Sequence, residues 1–199
     1  RVIWEAFISN PFTGLRLLVS GGDNYQGIYS YASRIIFFTD SDSFFVTKVA
    51  AVFDLLTFSS YSATAVLFSL LSFCGAWLMF LVFYRRYNKL HRGLAIACLF
   101  IPTVVFWGSG LLKDTIVFAC LGIMVYAVDN FKDLRVTYGL IVFACFAIVF
   151  LVKKYVLLCF VPALLVWLYG DYFFSIRNTV LKIFLAPLLS SVEIASGYL

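Results

Sequence analysis

The sequence predicts an all-α, polytopic membrane protein with at least five transmembrane helices and an external segment of interfacial helices. Three observations predict it. The 199 residues are 63% hydrophobic and only 13% charged, with a mean hydropathy of +1.00, more apolar surface than one soluble core of this length can use. The apolar residues come in unbroken runs close to bilayer thickness, where a soluble fold would show stripes or alternating faces. Basic residues also concentrate in alternate connectors, as retention of Lys and Arg on the cytoplasmic side requires. The same composition weighs against a secreted disulfide scaffold, a disordered chain and a coiled coil. Absence of an initiator methionine and of a basic-then-apolar leader, with an end inside another apolar run, predicts part of a longer protein.

Residues 1–61 form one predicted unit, an external segment, and residues 62–199 a second, the transmembrane bundle. The external segment carries Asp23, Asp40, Asp42 and Asp54 with Gly21-Gly22 and Pro11, and no uninterrupted apolar run. Residues 24–38 and 43–58 place apolar side chains at roughly helical spacing, including Phe45, Val49, Val52, Phe53 and Leu56. They read as helices lying in the interface. A soluble capping subdomain is the less favoured reading.

Residues 62–83 give the clearest span, twenty-two positions without a charge. Shorter spans follow at about 93–107, 111–128, 136–152 and 155–169, with a weaker one from Thr179 that Pro187 interrupts. The connector 84–92 holds Arg85, Arg86, Lys89 and Arg92; the connector 129–135 holds Lys132 and Arg135; the segment after Tyr169 holds Arg177 and Lys182. These three are predicted cytoplasmic. The external side then receives the N-terminal segment, Gly108 to Gly110 with Lys113-Asp114, and a tight turn at Lys153-Lys154, the last against the charge rule.

Cys74, Cys98, Cys120, Cys145 and Cys159 sit inside apolar runs without CxxC or Cys/His spacing, so they read as buried small hydrophobes. His91, the one histidine, reads as a solvated connector residue. No Ser/His/Asp set, zinc spacing or glycine-rich phosphate loop is present, and no nucleic-acid partner is expected.

Chemistry is expected where the membrane makes charge expensive. Lys113 and Asp114 follow Trp107-Gly108-Ser109-Gly110-Leu111-Leu112 at the edge of a span. Either they start the next helix, with Asp114 near its positive end and Lys113 reaching to the headgroups, or both face a wet external pocket. Lys153 and Lys154 lack an acidic neighbour; lipid headgroups or a bound phosphate would compensate them. Asp23, within Gly21-Gly22-Asp23-Asn24, reads equally as a turn residue or as a carboxylate base.

The order of these features resembles the GT-C superfamily of integral-membrane glycosyltransferases, in particular the bacterial enzymes that use polyprenyl-phosphate sugars. The resemblance rests on Gly21-Gly22-Asp23-Asn24-Tyr25 with Tyr29 and Ala32, on the long span and basic connector, and most of all on the string Ile101-Pro102-Thr103-Val104-Val105-Phe106-Trp107-Gly108-Ser109-Gly110-Leu111-Leu112-Lys113-Asp114. Phe150-Leu151-Val152-Lys153-Lys154-Tyr155-Val156 is similar to the family's "Arg-Pro-Tyr" return into the membrane, with Lys153-Lys154 in place of Arg-Pro.

What the resemblance implies is inverting transfer of a sugar from a lipid-phosphate donor to an acceptor at the external face, in a bacterial inner membrane. It assigns Asp23 as catalytic base, Lys113, Lys153 and Lys154 to the donor phosphate, and orienting roles to Asp114, Tyr25 and Tyr155. A carboxylate base and phosphate-holding cations are what such a transfer needs. Asp23 and Asp114 could supply oxygens to a divalent metal but are too few to predict one. The expected partners are membrane lipid and the lipid-linked donor, with protein partners reached through the external segment. Two other classes stay open: a non-catalytic membrane subunit or scaffold docking a partner through that segment, and a transporter.

Overall fold

A computed structural model describes residues 2–19, 29–35, 41–130 and 136–175, and these are helical apart from short connections, with no strand among them. The chain divides into two units, 1–152 and 153–199.

The first unit opens with α1 (Val2–Ser9) and α2 (Pro11–Val19), packed as a helical hairpin. Asn10 makes the corner. Its side-chain oxygen accepts from the Phe12 amide at 3.3 Å, and Pro11 takes the first helical position, where a missing N–H costs nothing. Gly14 lets the hairpin close, since a Cβ there would run into the Phe7 ring. A short helix, α3 (Tyr29–Ala32), follows, and Arg34 pairs with Glu5 at 3.0 Å.

Next comes α4 (Ser41–Thr57). Ala6, Leu17 and Phe44 form a small core flanked by Tyr31 and Ile35, so the N-terminal helices have packing of their own. This alters the predicted surface of α4: Phe44, Val46 and Ala51 are the buried residues, while Val52 and Leu56 stay exposed. Of the helix expected over 24–38, residues 29–35 are described, and only 29–32 are helical.

A tight turn joins α4 to α5 (Tyr61–Arg86). Phe58 and Ser59 both take positive φ, at 52° and 61°, and the Ser59 amide bonds back to the Asp54 carbonyl at 3.1 Å, satisfying an orphan carbonyl at the helix end. The buried Thr64 hydroxyl donates to the Asp54 carboxylate at 2.6 Å and meets the Thr57 hydroxyl at 2.8 Å, which pins α4 to α5. Phe53 packs edge-on against Phe68 across the same pair.

After α5 the chain forms a short 3₁₀ turn (Asn88–Leu90), α6 (His91–Ala95), a π-helical turn (Ile96–Phe100) and α7 (Pro102–Gly108). Pro102 lacks the amide that would continue the ladder, so the run breaks at Ile101, whose backbone is extended. Then α8 (Lys113–Asp129) and α9 (Val136–Val152) complete the unit.

Small residues let α5 and α8 approach closely. Gly75 lies against Ala119, and Gly122 against the Gly75 carbonyl, a contact type that stabilises helix pairs where water supplies no driving force. At the other end Arg85 reaches Asn130 at 3.3 Å and lies over the Tyr126 ring, placing a cation by the C-terminus of α8. Cys120 and Cys145 meet thiol to thiol where α8 packs on α9.

The second unit is described through α10 (Lys154–Ser175), with Pro162 inside it. The apolar run predicted from Thr179 lies outside the described residues.

Each of the five predicted spans corresponds to helical backbone; the second is interrupted at Ile101. Among the described residues two helical runs are long and apolar enough to cross a membrane, 26 residues over Tyr61–Arg86 and 21 over Asn88–Gly108. Val136–Val152 and Lys154–Leu165 are apolar but shorter. The cysteine expectation needs one correction: Cys98, Cys120 and Cys145 are buried, whereas Cys74 and Cys159 are exposed on apolar helix surfaces, because an all-apolar helix has no sequence stripe marking its inner face.

Candidate functional site at the turn into α8

The turn at 109–112 is held by hydroxyls. Thr115, fully buried in the first turn of α8, places its Oγ1 2.7 Å from the Gly110 carbonyl and 3.0 Å from the Trp107 carbonyl. Ser69 of α5 places its hydroxyl 2.9 Å from both the Ala65 and Ser109 carbonyls. These bonds satisfy carbonyls that the end of α7 would otherwise leave open.

The Ser69 bond fixes the level of the turn. Ser69 is eight residues into α5, so the turn lies about 12 Å along the axis from the start of that helix. The first two turns of α5 project past it. Since α4 is pinned to that projection, it covers the turn.

Under α4 is a cavity of about 300 Å³, lined by Ser43, Val46, Thr47 and Ala50 of α4 and by Leu111, Leu112 and Lys113 below. Lys113 and Asp114 occupy the first turn of α8, and the residue before that helix, Leu112, offers no side-chain cap. Lys113 and the positive end of a 17-residue helix therefore sit at one cavity edge, with Asp114 where that end favours a carboxylate. Both side chains are partly exposed and are engaged within the protein. Nearby on α4, Lys48 lies 4.9 Å from the Phe44 ring centre, and burial lowers its pKa below the ordinary lysine value.

Of the site expected from the sequence, Asp23 and Tyr25 lie outside the described residues, as does Asp40. Lys153, Lys154 and Tyr155 belong to the second unit. Lys153 is the single non-helical residue between α9 and α10, and its ammonium lies 5.8 Å from the Tyr155 ring centre. Lys154 and Tyr155 begin α10, both exposed. Among the described residues no group of three or more His, Cys, Asp or Glu side chains could hold a metal.

Sequence reasoning did not place Ser43, Thr47, Ser69 or Thr115 in the site. A faint signal existed for two of them: Ser43 and Thr47 stand four residues apart, a spacing that puts two hydroxyls on one helix face. No protein family, curated protein or solved structure matches this chain.

Proposed function

We propose that this chain is the catalytic part of a polytopic membrane glycosyltransferase of GT-C type, which moves a sugar from a lipid-phosphate donor to an acceptor at the external face with inversion. The observation that carries the reading is Lys113 on the rim of the cavity beneath α4, beside the positive end of α8. A cation there stabilises charge growing on a departing phosphate, and the Ser43 and Thr47 hydroxyls can accept or donate to a sugar.

Helix dimensions support the membrane placement. At 26 residues α5 is about 39 Å long, longer than a hydrocarbon core of about 30 Å. From Ser69 to its end at Arg86 it measures about 26 Å, so the turn at 109–112 falls near one interface when Arg85 and Arg86 meet the other. The exposed residues Arg85, Arg86, Lys89 and Arg92 then face the cytoplasm, and Lys113 faces outward. Asp23 acts as base, Asp114 and Tyr25 orient the substrates, and Lys113 holds the donor phosphate.

The test is donor binding by the full chain in vesicles. Lys113→Met keeps the apolar stem and removes the charge, and tenfold or greater weakening of polyprenyl-phosphate-sugar binding is expected, the scale of a charge-assisted contact. Unchanged affinity would remove Lys113 from the phosphate site.

A further inference from the structure

A second cavity, of about 210 Å³, lies between α5 and the broken helix, and its lining is graded along α5. Ser69, Ser72 and Ser109 line it at the end level with the 109–112 turn; Ala76, Cys98 and Leu99 line it deeper. Ser69 and Ala76 are about 10 Å apart along the helix axis. Ser72 is only 4% exposed, and its hydroxyl makes no hydrogen bond among the described residues. The hydroxyl points toward Gly108, where a Cβ would come within 2.6 Å of Oγ, so glycine at 108 leaves that hydroxyl its room.

A hydroxyl that reaches a cavity without a protein partner can donate to a ligand oxygen there. The cavity is otherwise apolar and opens sideways beside Val105, which is half exposed. Its occupant must therefore be apolar along most of its length, enter from the side, and carry one hydrogen-bond acceptor at the end near the interface. Those are the properties of a glycerolipid acyl chain with its ester carbonyl. We infer that this cleft holds one acyl chain of a bilayer glycerolipid, the ester carbonyl accepting from Ser72 and the chain running inward past Ala76 and Cys98. A chain seated there packs α5 against the helix broken at Pro102. This rests on the membrane placement proposed above.

The test uses the full chain in phosphatidylethanolamine and phosphatidylglycerol vesicles doped with phosphatidylglycerol bearing a photoactivatable diazirine on one acyl chain. Crosslinks mapped by mass spectrometry are expected to concentrate on Phe73, Ala76 and Leu99. Ser72→Ala should reduce them about fivefold, the scale of one neutral hydrogen bond. Val105→Trp, which fills the cleft from its open side without touching the core, should abolish them while leaving labelling of the exposed α9 residues Leu140 and Phe143 unchanged. Equal labelling of the cleft and of Leu140 and Phe143, insensitive to Val105→Trp, would overturn the inference and leave the proposed function standing. Displacement of the label by polyprenyl phosphate would overturn it in favour of the donor lipid. Release of the protein by alkaline carbonate would overturn the membrane placement and this inference together.

Discussion

Gly75 and Gly122 meet across α5 and α8 so closely that a Cβ on Gly122 would collide with the Gly75 carbonyl. The two backbones touch, and no rotamer change can make room. Gly122→Ala is therefore expected to destabilise by about 1–3 kcal/mol, the usual range for overpacking. Gly93→Ala supplies the comparison, because a Cβ there meets nothing within 4 Å. Unfolding by SDS in mixed micelles should show a clear loss for Gly122→Ala and little change for Gly93→Ala. Equal behaviour would mean that this pair does not hold the helices together.

Thr115 offers a second test, because one buried hydroxyl serves the Gly110 and Trp107 carbonyls at once. Thr115→Val preserves shape and leaves both without that donor, so a loss of about 1–3 kcal/mol is expected, with Thr115→Ser close to the parent. The turn should loosen as well. A cysteine introduced at Ser109 should react with a maleimide faster in the Thr115→Val background than in the parent, and an unchanged rate would show that Ser69 alone holds the turn.

The helices were the most legible feature, and the pairing of the site was the least. The apolar run 136–152 ends at Val152 in sequence and structure alike, because the charged Lys153 follows it. The run predicted over 62–83 continues to Arg86, because long basic side chains end a span without ending its helix. Helices α1 and α2 were missed: their buried residues, Ile3 with Ala6 and Gly14 with Leu17, recur at helical spacing but within stretches too short to read as spans. The run expected over 93–107 passes through Pro102, which breaks it at Ile101, and the π turn before the break has no residue signature. Lys113 stood out as a charge beside a span, but its meeting with Ser43 and Thr47 depends on α4 folding back along α5. Sequence spacing cannot express that, because the turn relies on positive φ at Phe58 and Ser59, which are not glycines.

Orientation is open to direct test. Native cysteines are replaced by alanine first, since Cys74 and Cys159 are exposed. Single cysteines are then placed at Asn88, within the basic connector, and at Ser109, on the turn into α8. In sealed right-side-out vesicles an impermeant maleimide is expected to label Ser109→Cys and spare Asn88→Cys. The reverse pattern would turn the chain over and put Lys113 on the cytoplasmic side, away from any externally presented acceptor.

The base makes the most exposed prediction. A sugar hydroxyl is a poor nucleophile at neutral pH, and a carboxylate set against its proton is worth about a hundredfold or more in rate. Asp23 sits in Gly21-Gly22-Asp23-Asn24, where asparagine can make the same local backbone bonds as aspartate, so Asp23→Asn separates a base from a turn former. We expect Asp23→Asn to insert and fold normally and to lose about a hundredfold or more in sugar transfer by the purified full chain. Asp40→Asn and Asp42→Asn, two other acidic positions ahead of α5, should have mild effects. The pH profile adds a readout that a turn role would not move: loss of the parent's acidic limb in Asp23→Asn, with the residual rate flat through the carboxylate range. Near-normal turnover in Asp23→Asn, or a larger loss in either neighbour, would take Asp23 out of the mechanism. Lys113 would then hold an anion in a protein whose chemistry lies elsewhere.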